Sequence, residues 1–190
     1  NKEASKEVFK VLIAQNPTAP KAFEYQYQIV QNFFYAKNVL GFKAELYTWL
    51  KEYDKDGSWY AANKDNKELI ENAYKLRETT LRNYVLQQHQ TAQNSRAPYS
   101  QAQANEAYQL YFKAFPDSAL VGDMHFYYGE LLYDMGKYDD AANHYKWVMD
   151  NAPQNKFYDK ASQNLILAVE RSIPSDQELQ KRVGESLDPL

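Results

Sequence analysis

Pro116 and Pro153 stand 37 residues apart, and the same landmarks precede each. Ala104, Tyr108 and Tyr111 lie twelve, eight and five residues before the first; Ala141, Tyr145 and Val148 lie at those offsets before the second. Between the prolines run Tyr128-Gly129-Glu130-Leu131-Leu132 and Met135-Gly136-Lys137-Tyr138. A proline has no amide hydrogen to continue a helix, and a glycine reverses the chain cheaply. The unit therefore reads as helix, tight turn, helix, proline stop. A unit this short cannot bury a core alone, so such units must stack on their neighbours.

The rest of the chain follows helical spacing as well. Phe23, Tyr27, Val30 and Phe34 step by four, three and four, with Ala22, Ile29, Phe33 and Ala36 beside them, as on a helix covered from two sides. Phe42, Leu46, Trp49, Leu50 and Tyr53 form another face. Gly41 is expected to make the tight turn between these segments, and Gly57 a left-handed cap after the second. Residues 58–96 hold neither glycine nor proline and read as one long helix, or two with a polar break near Asn63–Asn66. The polar run 87–95 predicts a solvated, frayed end before Ala97-Pro98-Tyr99. Capping boxes at Ser100–Gln103 and Ser175–Glu178 predict the starts of two further helices. No segment shows strand alternation, so the expected fold class is all-α. Residues 1–99 form an N-terminal helical region and residues 100–190 the repeats with a C-terminal helix.

The composition narrows the function. The net charge of −3 argues against nucleic-acid binding, which needs clustered Lys and Arg. No apolar run approaches the roughly 18 residues of a membrane span. The chain has no cysteine, so thiolate nucleophiles and Cys-based metal sites are excluded. It starts at Asn1, which is read as a processed or excised end, with any lipid anchor outside it.

These residues resemble the tetratricopeptide repeat. Gly129, Ala141, Tyr145 and Pro153 stand at that family's small, small, aromatic and proline positions, and Gly136 and Tyr138 match its turn. His125 and Leu132 depart from the pattern, which more often has Trp and Tyr there. The likeness covers roughly residues 100–172. The Phe-Pro-Asp-Ser link at 115–118 is similar to the bacterial cell-envelope subgroup, which includes the Tol–Pal coordinator, the BamD-like assembly lipoprotein and large multi-repeat envelope proteins. The resemblance implies antiparallel hairpins stacked as a right-handed solenoid with a concave groove. Gly41, Phe42 and Trp49 loosely echo Gly136, Tyr138 and Tyr145, as in degenerate repeats.

Motifs for chemistry are sparse. His89, His125 and His144 form no metal-binding spacing, although His125 and His144 can meet across the hairpin. Asp54-Lys55-Asp56-Gly57-Ser58 lacks the calcium-loop spacing and reads as one helix end followed by the next start. No phosphate loop or nucleophile elbow occurs. The expectation is therefore a non-catalytic protein, with no cofactor and no metal.

The family register turns Asp123, Phe126, Glu130, Tyr133 and Asp134 toward the groove, joined on the next helix by Lys160, Gln163, Leu167 and Glu170. Residues 117–150 hold seven acids against Lys137 and Lys146, which suits a basic or amphipathic peptide. The expected function is a protein-interaction scaffold of a bacterial envelope complex, with a periplasmic or cell-envelope location and the cytoplasm as the alternative. The alternatives are a helical accessory domain that positions substrate for a larger envelope enzyme, and a small-ligand pocket lined by Tyr.

Overall fold

The computed structural model describes residues 2–174, and among these the protein is all-α. Nine helices follow one another among the described residues: α1 (Lys2–Gln15), α2 (Pro20–Tyr35), α3 (Val39–Glu52), α4 (Ser58–Asn63), α5 (Lys67–Ser95), α6 (Pro98–Ala114), α7 (Val121–Asp134), α8 (Tyr138–Asn151) and α9 (Tyr158–Ser172). The capping box at Ser175–Glu178 lies outside the described residues. No described helix is long and apolar enough to cross a membrane. The chain divides into two compact units inside α5, between Tyr84 and Val85, whereas the sequence pattern places a boundary at 99/100.

In the first unit α2 packs against α1 and α3. Pro20 opens α2, where its fixed φ suits the first helical position. Four donors hold the entry to this helix. Asn63 Nδ2 and Trp59 Nε1 donate to the carbonyls of Thr18 and Ala19 at 2.8 Å each. The Tyr53 hydroxyl donates to Ala22 at 2.8 Å, and Trp49 Nε1 to Phe23 at 3.3 Å. Three of these donors also pack their rings around Phe23, at centroid distances of 5.1 Å (Trp49), 5.4 Å (Tyr53) and 5.2 Å (Trp59). Tyr and Trp do both tasks because each joins a large apolar body to one polar atom.

The two glycines of this unit do not serve as the sequence reading expects. The α2–α3 turn is made by Lys37, at φ +56°, with its amide donating to Phe34 and that of Asn38 to Phe33. Gly41 lies inside α3, where a Cβ would come within 2.3 Å of the Phe33 ring, so its role is close approach. Gly57 is extended (φ −84°) and caps the start of α4. The break at 64–66 separates α4 from α5, the two-helix form of that segment.

In the second unit α8 packs against both α7 and α9. Residues 87–95 stay helical, with His89 and Ala92 buried, rather than fraying. Arg96 turns the chain at φ +53°, and Pro98 begins α6 instead of ending a segment; Ala97, with no side-chain cap, precedes it in place of the Ser100 box. Gly136 (φ +72°) closes α7 with paired bonds from its own amide to Tyr133 and from Lys137 to Leu132, the Schellman arrangement. The same pairing occurs at Lys37.

The 37-residue period is a period of the backbone. Phe115 and Ala152 cap their helices at φ/ψ of −136°/54° and −135°/56°. Leu120 and Phe157 open the next helices at −102°/6° and −98°/6°. The amides of Ser118 and Val121 bond to Phe115 and Ser118; those of Asn155 and Tyr158 bond to Ala152 and Asn155. Ser118 Oγ and Asn155 Oδ1 each accept the amide two residues on, at 3.1 Å and 2.8 Å.

A third copy of the link's bonding occurs in the first unit, where Asn16, Ala19 and Ala22 donate to Leu12, Asn16 and Ala19 just before and after Pro17. Pro17 and Lys37 precede Pro116 and Gly136 by the same 99 residues, so α1–α2–α3 repeats α6–α7–α8. In that register Val30 and Leu46 stand where the second unit has Gly129 and Tyr145, and both are buried. The echo placed on Gly41, Phe42 and Trp49 is thus out of register by three to four residues.

Candidate functional site

The second unit gathers the residues singled out from the sequence on α7, α8 and the links beside them. Gly129 admits the Tyr145 ring: a Cβ there would lie 2.7 Å from Tyr145 Cε1. Ala141 is fully buried one turn before Tyr145, while Tyr138 meets Tyr133 edge-on at 5.1 Å and Pro153 is exposed after α8. The Tyr145 hydroxyl donates to Glu130 Oε1, which also accepts from Asn164 Nδ2 at 2.7 Å. One carboxylate therefore ties α7, α8 and α9 together. Burial and the nearby Glu130 charge push the Tyr145 phenol far above its ordinary range.

The five groove residues do not share one open face. Asp123 is buried, accepting from Asn155 Nδ2 at 2.7 Å and pairing with Lys156 at 2.6 Å. Phe126 is buried too, because Phe157 of the α8–α9 link stacks on it at 4.3 Å with rings 9° apart. The link therefore covers a position that helix spacing alone turns outward. Glu130 and Tyr133 are half-buried, and Asp134 is exposed, accepting from Gln93 Nε2 at 3.2 Å. On α9, Lys160, Gln163, Leu167 and Glu170 are exposed. The open part of the face is thus Tyr133 and Asp134 with the exposed side of α9.

His125 and His144 do meet, with their Nδ1 atoms 2.7 Å apart. His125 is stacked between Trp147 (3.8 Å, 10°) and Phe112 (4.2 Å, 28°). Burial first, and the neighbouring imidazole second, push the His125 pKa down to about 3; burial lowers His144 to about 4 against the opposing pull of Asp140. Both rings are neutral at pH 7, and one Nδ1–H donates to the other nitrogen. Such a pair joins α7 to α8. Among the described residues no group of three or more His, Cys, Asp or Glu side chains is placed to hold a metal ion.

Two clefts flank this arrangement. One, of about 570 Å³, lies between the two repeated links and is lined by Leu120, Asp123, Trp147, Asn155 and Lys156. The other, of about 280 Å³, lies beside His144 and is bounded by Asn105, Gln109, Tyr128 and Asp140. There the Tyr128 hydroxyl donates to Asn105 and accepts from Gln109. Phe112, Trp147, Phe157 and Asn164 escape the sequence reading. The available signal is the 37-residue offset, which pairs Phe157 with Leu120 and shows that the links are built alike. Comparison with protein-family models and with curated proteins finds no match to this chain.

Proposed function

We propose that the chain is a non-catalytic protein-binding module, built as a tetratricopeptide-like right-handed solenoid, that holds a partner segment along the open side of α7 and α9. The observation that carries this reading is the backbone period of 37 residues, with the same link and the same turn recurring in both units. Stacked units of this kind leave an extended surface as their usable feature. The partner class is argued from what remains accessible: Tyr133, Asp134, Lys160, Gln163, Leu167 and Glu170, one aromatic and one aliphatic anchor with two carboxylates against one ammonium group. A basic, amphipathic peptide complements that set. The envelope and periplasmic setting rests on the likeness of the Phe-Pro-Asp-Ser link.

The test is a screen of basic amphipathic peptides against the isotopically labelled chain by NMR. Binding is expected to shift amides of α7 and α9, and Asp134→Lys combined with Leu167→Ser is expected to abolish it with the helical spectrum intact. Shifts confined to other helices, or binding undiminished in the double variant, would refute this placement.

A further inference from the structure

The tip of the α2–α3 hairpin inverts the usual polarity of a helix turn. Phe34, Tyr35, Val39 and Leu40 fall within seven consecutive residues and are 52%, 62%, 68% and 78% exposed. Ile29, Val30, Leu46 and Trp49 fill the hairpin's interior, and Phe34 meets Phe42 of α3 at 5.5 Å while staying half exposed. Between Glu24 and Glu45 the only charged side chains are Lys37 and Lys43, in a chain of net charge −3. The Nζ of Lys6 on α1 lies 5.0 Å from the centre of the Phe33 ring, and that of Lys43 lies 5.4 Å from the centre of the Tyr47 ring.

Five amides at the tip are bonded from within. The amides of Ala36, Lys37 and Asn38 donate to Asn32, Phe34 and Phe33. The amide of Gly41 donates to the Asn38 side chain at 2.9 Å, and that of Phe42 to the Asn38 carbonyl at 2.8 Å. Amides bonded in this way need no partner from the headgroup layer. Aromatic rings favour the headgroup level of a bilayer, and lysine stems run along apolar surface while their ammonium groups reach anionic phosphate.

We propose that this tip docks on an anionic lipid surface, with Phe34, Tyr35, Val39 and Leu40 entering the boundary between headgroups and acyl chains and Lys37 and Lys43 meeting the headgroup charge. This site belongs to the first unit and its proposal is independent of the reading of the α7–α9 face.

The experiment is flotation of the full chain with vesicles of phosphatidylcholine containing about one-third phosphatidylglycerol, at about 0.1 M salt. The expected result is co-flotation that weakens without phosphatidylglycerol and at about 1 M salt. Tyr35→Ser with Leu40→Ser should lower vesicle partitioning about tenfold or more while the thermal melt stays put, since both side chains are exposed. A Leu40→Trp variant should lose fluorescence in vesicles of brominated lipid, beyond the change seen for the parent chain. No flotation of the parent chain would overturn the proposal, as would equal flotation of the Ser variant or an unquenched Trp at position 40. Concentration-dependent dimerisation that the Ser variant abolishes would also overturn it, by making the tip a contact between copies or with another protein.

Discussion

Replacing Gly129 by alanine separates two opposing effects. In an unobstructed helix interior, Gly→Ala stabilises by about 1 kcal/mol, because glycine has more backbone freedom to lose. At 129 the new methyl would lie 2.7, 2.9 and 3.1 Å from three carbons of the Tyr145 ring. A flexible ring could step aside, but this one is buried at 1% exposure and its hydroxyl is fixed on Glu130. Overpacking of that kind costs about 1–3 kcal/mol. The two effects leave a net destabilisation of up to about 2 kcal/mol, a fall in melting temperature of up to roughly 15 °C for a unit of about a hundred residues. Melts followed by far-ultraviolet circular dichroism measure it. Tyr145→Phe releases the ring from Glu130, so Gly129→Ala should cost less in that background. A Gly129→Ala variant that melts higher than the parent chain would refute the close approach and the helix register behind it.

Turn chemistry supplies a matched pair of tests: Lys37→Gly should stabilise by about 0.5–1 kcal/mol, and Gly136→Ala should destabilise by about 1–2 kcal/mol, because only glycine adopts positive φ without strain. Urea titration of both variants checks the signs. In the same assay Ser118→Ala and Asn155→Ala should each cost about 1–3 kcal/mol, since each loses a turn bond worth about 1 kcal/mol and a second bond, from the Tyr111 hydroxyl at Ser118 and to Asp123 at Asn155. The histidine pair makes the second unit acid-labile. Unfolded histidine takes up a proton near pH 6.5 and the folded rings only near 3 and 4, so their contribution is whole above about 6.5 and shrinks as pH falls toward 4, by up to about 1.4 kcal/mol per pH unit for each ring. Melts between pH 7 and 4 should show this loss reduced in a His125→Phe variant.

Helix content and the repeat were legible because apolar spacing and the proline offset are local properties of the chain. Gly41 was misread because glycine has two uses, positive φ and the absence of a side chain, and its neighbours do not say which applies; the turn instead fell to Lys37. The polar run 87–95 read as solvated, yet His89 is buried because Tyr108 on α6 bonds its Nδ1 at 2.6 Å. Phe126 was turned outward by helical register and is covered by Phe157, a residue of a link that periodicity does not describe. The meeting of His125 and His144 was legible, because a hairpin with a known turn brings fixed positions together. The aromatic stack around them was not, because it joins three helices.

The equivalence of α1–α2–α3 and α6–α7–α8 bears on how the chain reaches its structure. Their hairpins close through contacts between residues near in sequence, so little chain entropy is lost before contacts repay it. Each set can start folding from its own turn, Lys37 in one and Gly136 in the other, without waiting for the other to form. Fast formation with more than one starting point follows, and stretching the chain between its ends should release it in successive steps rather than one.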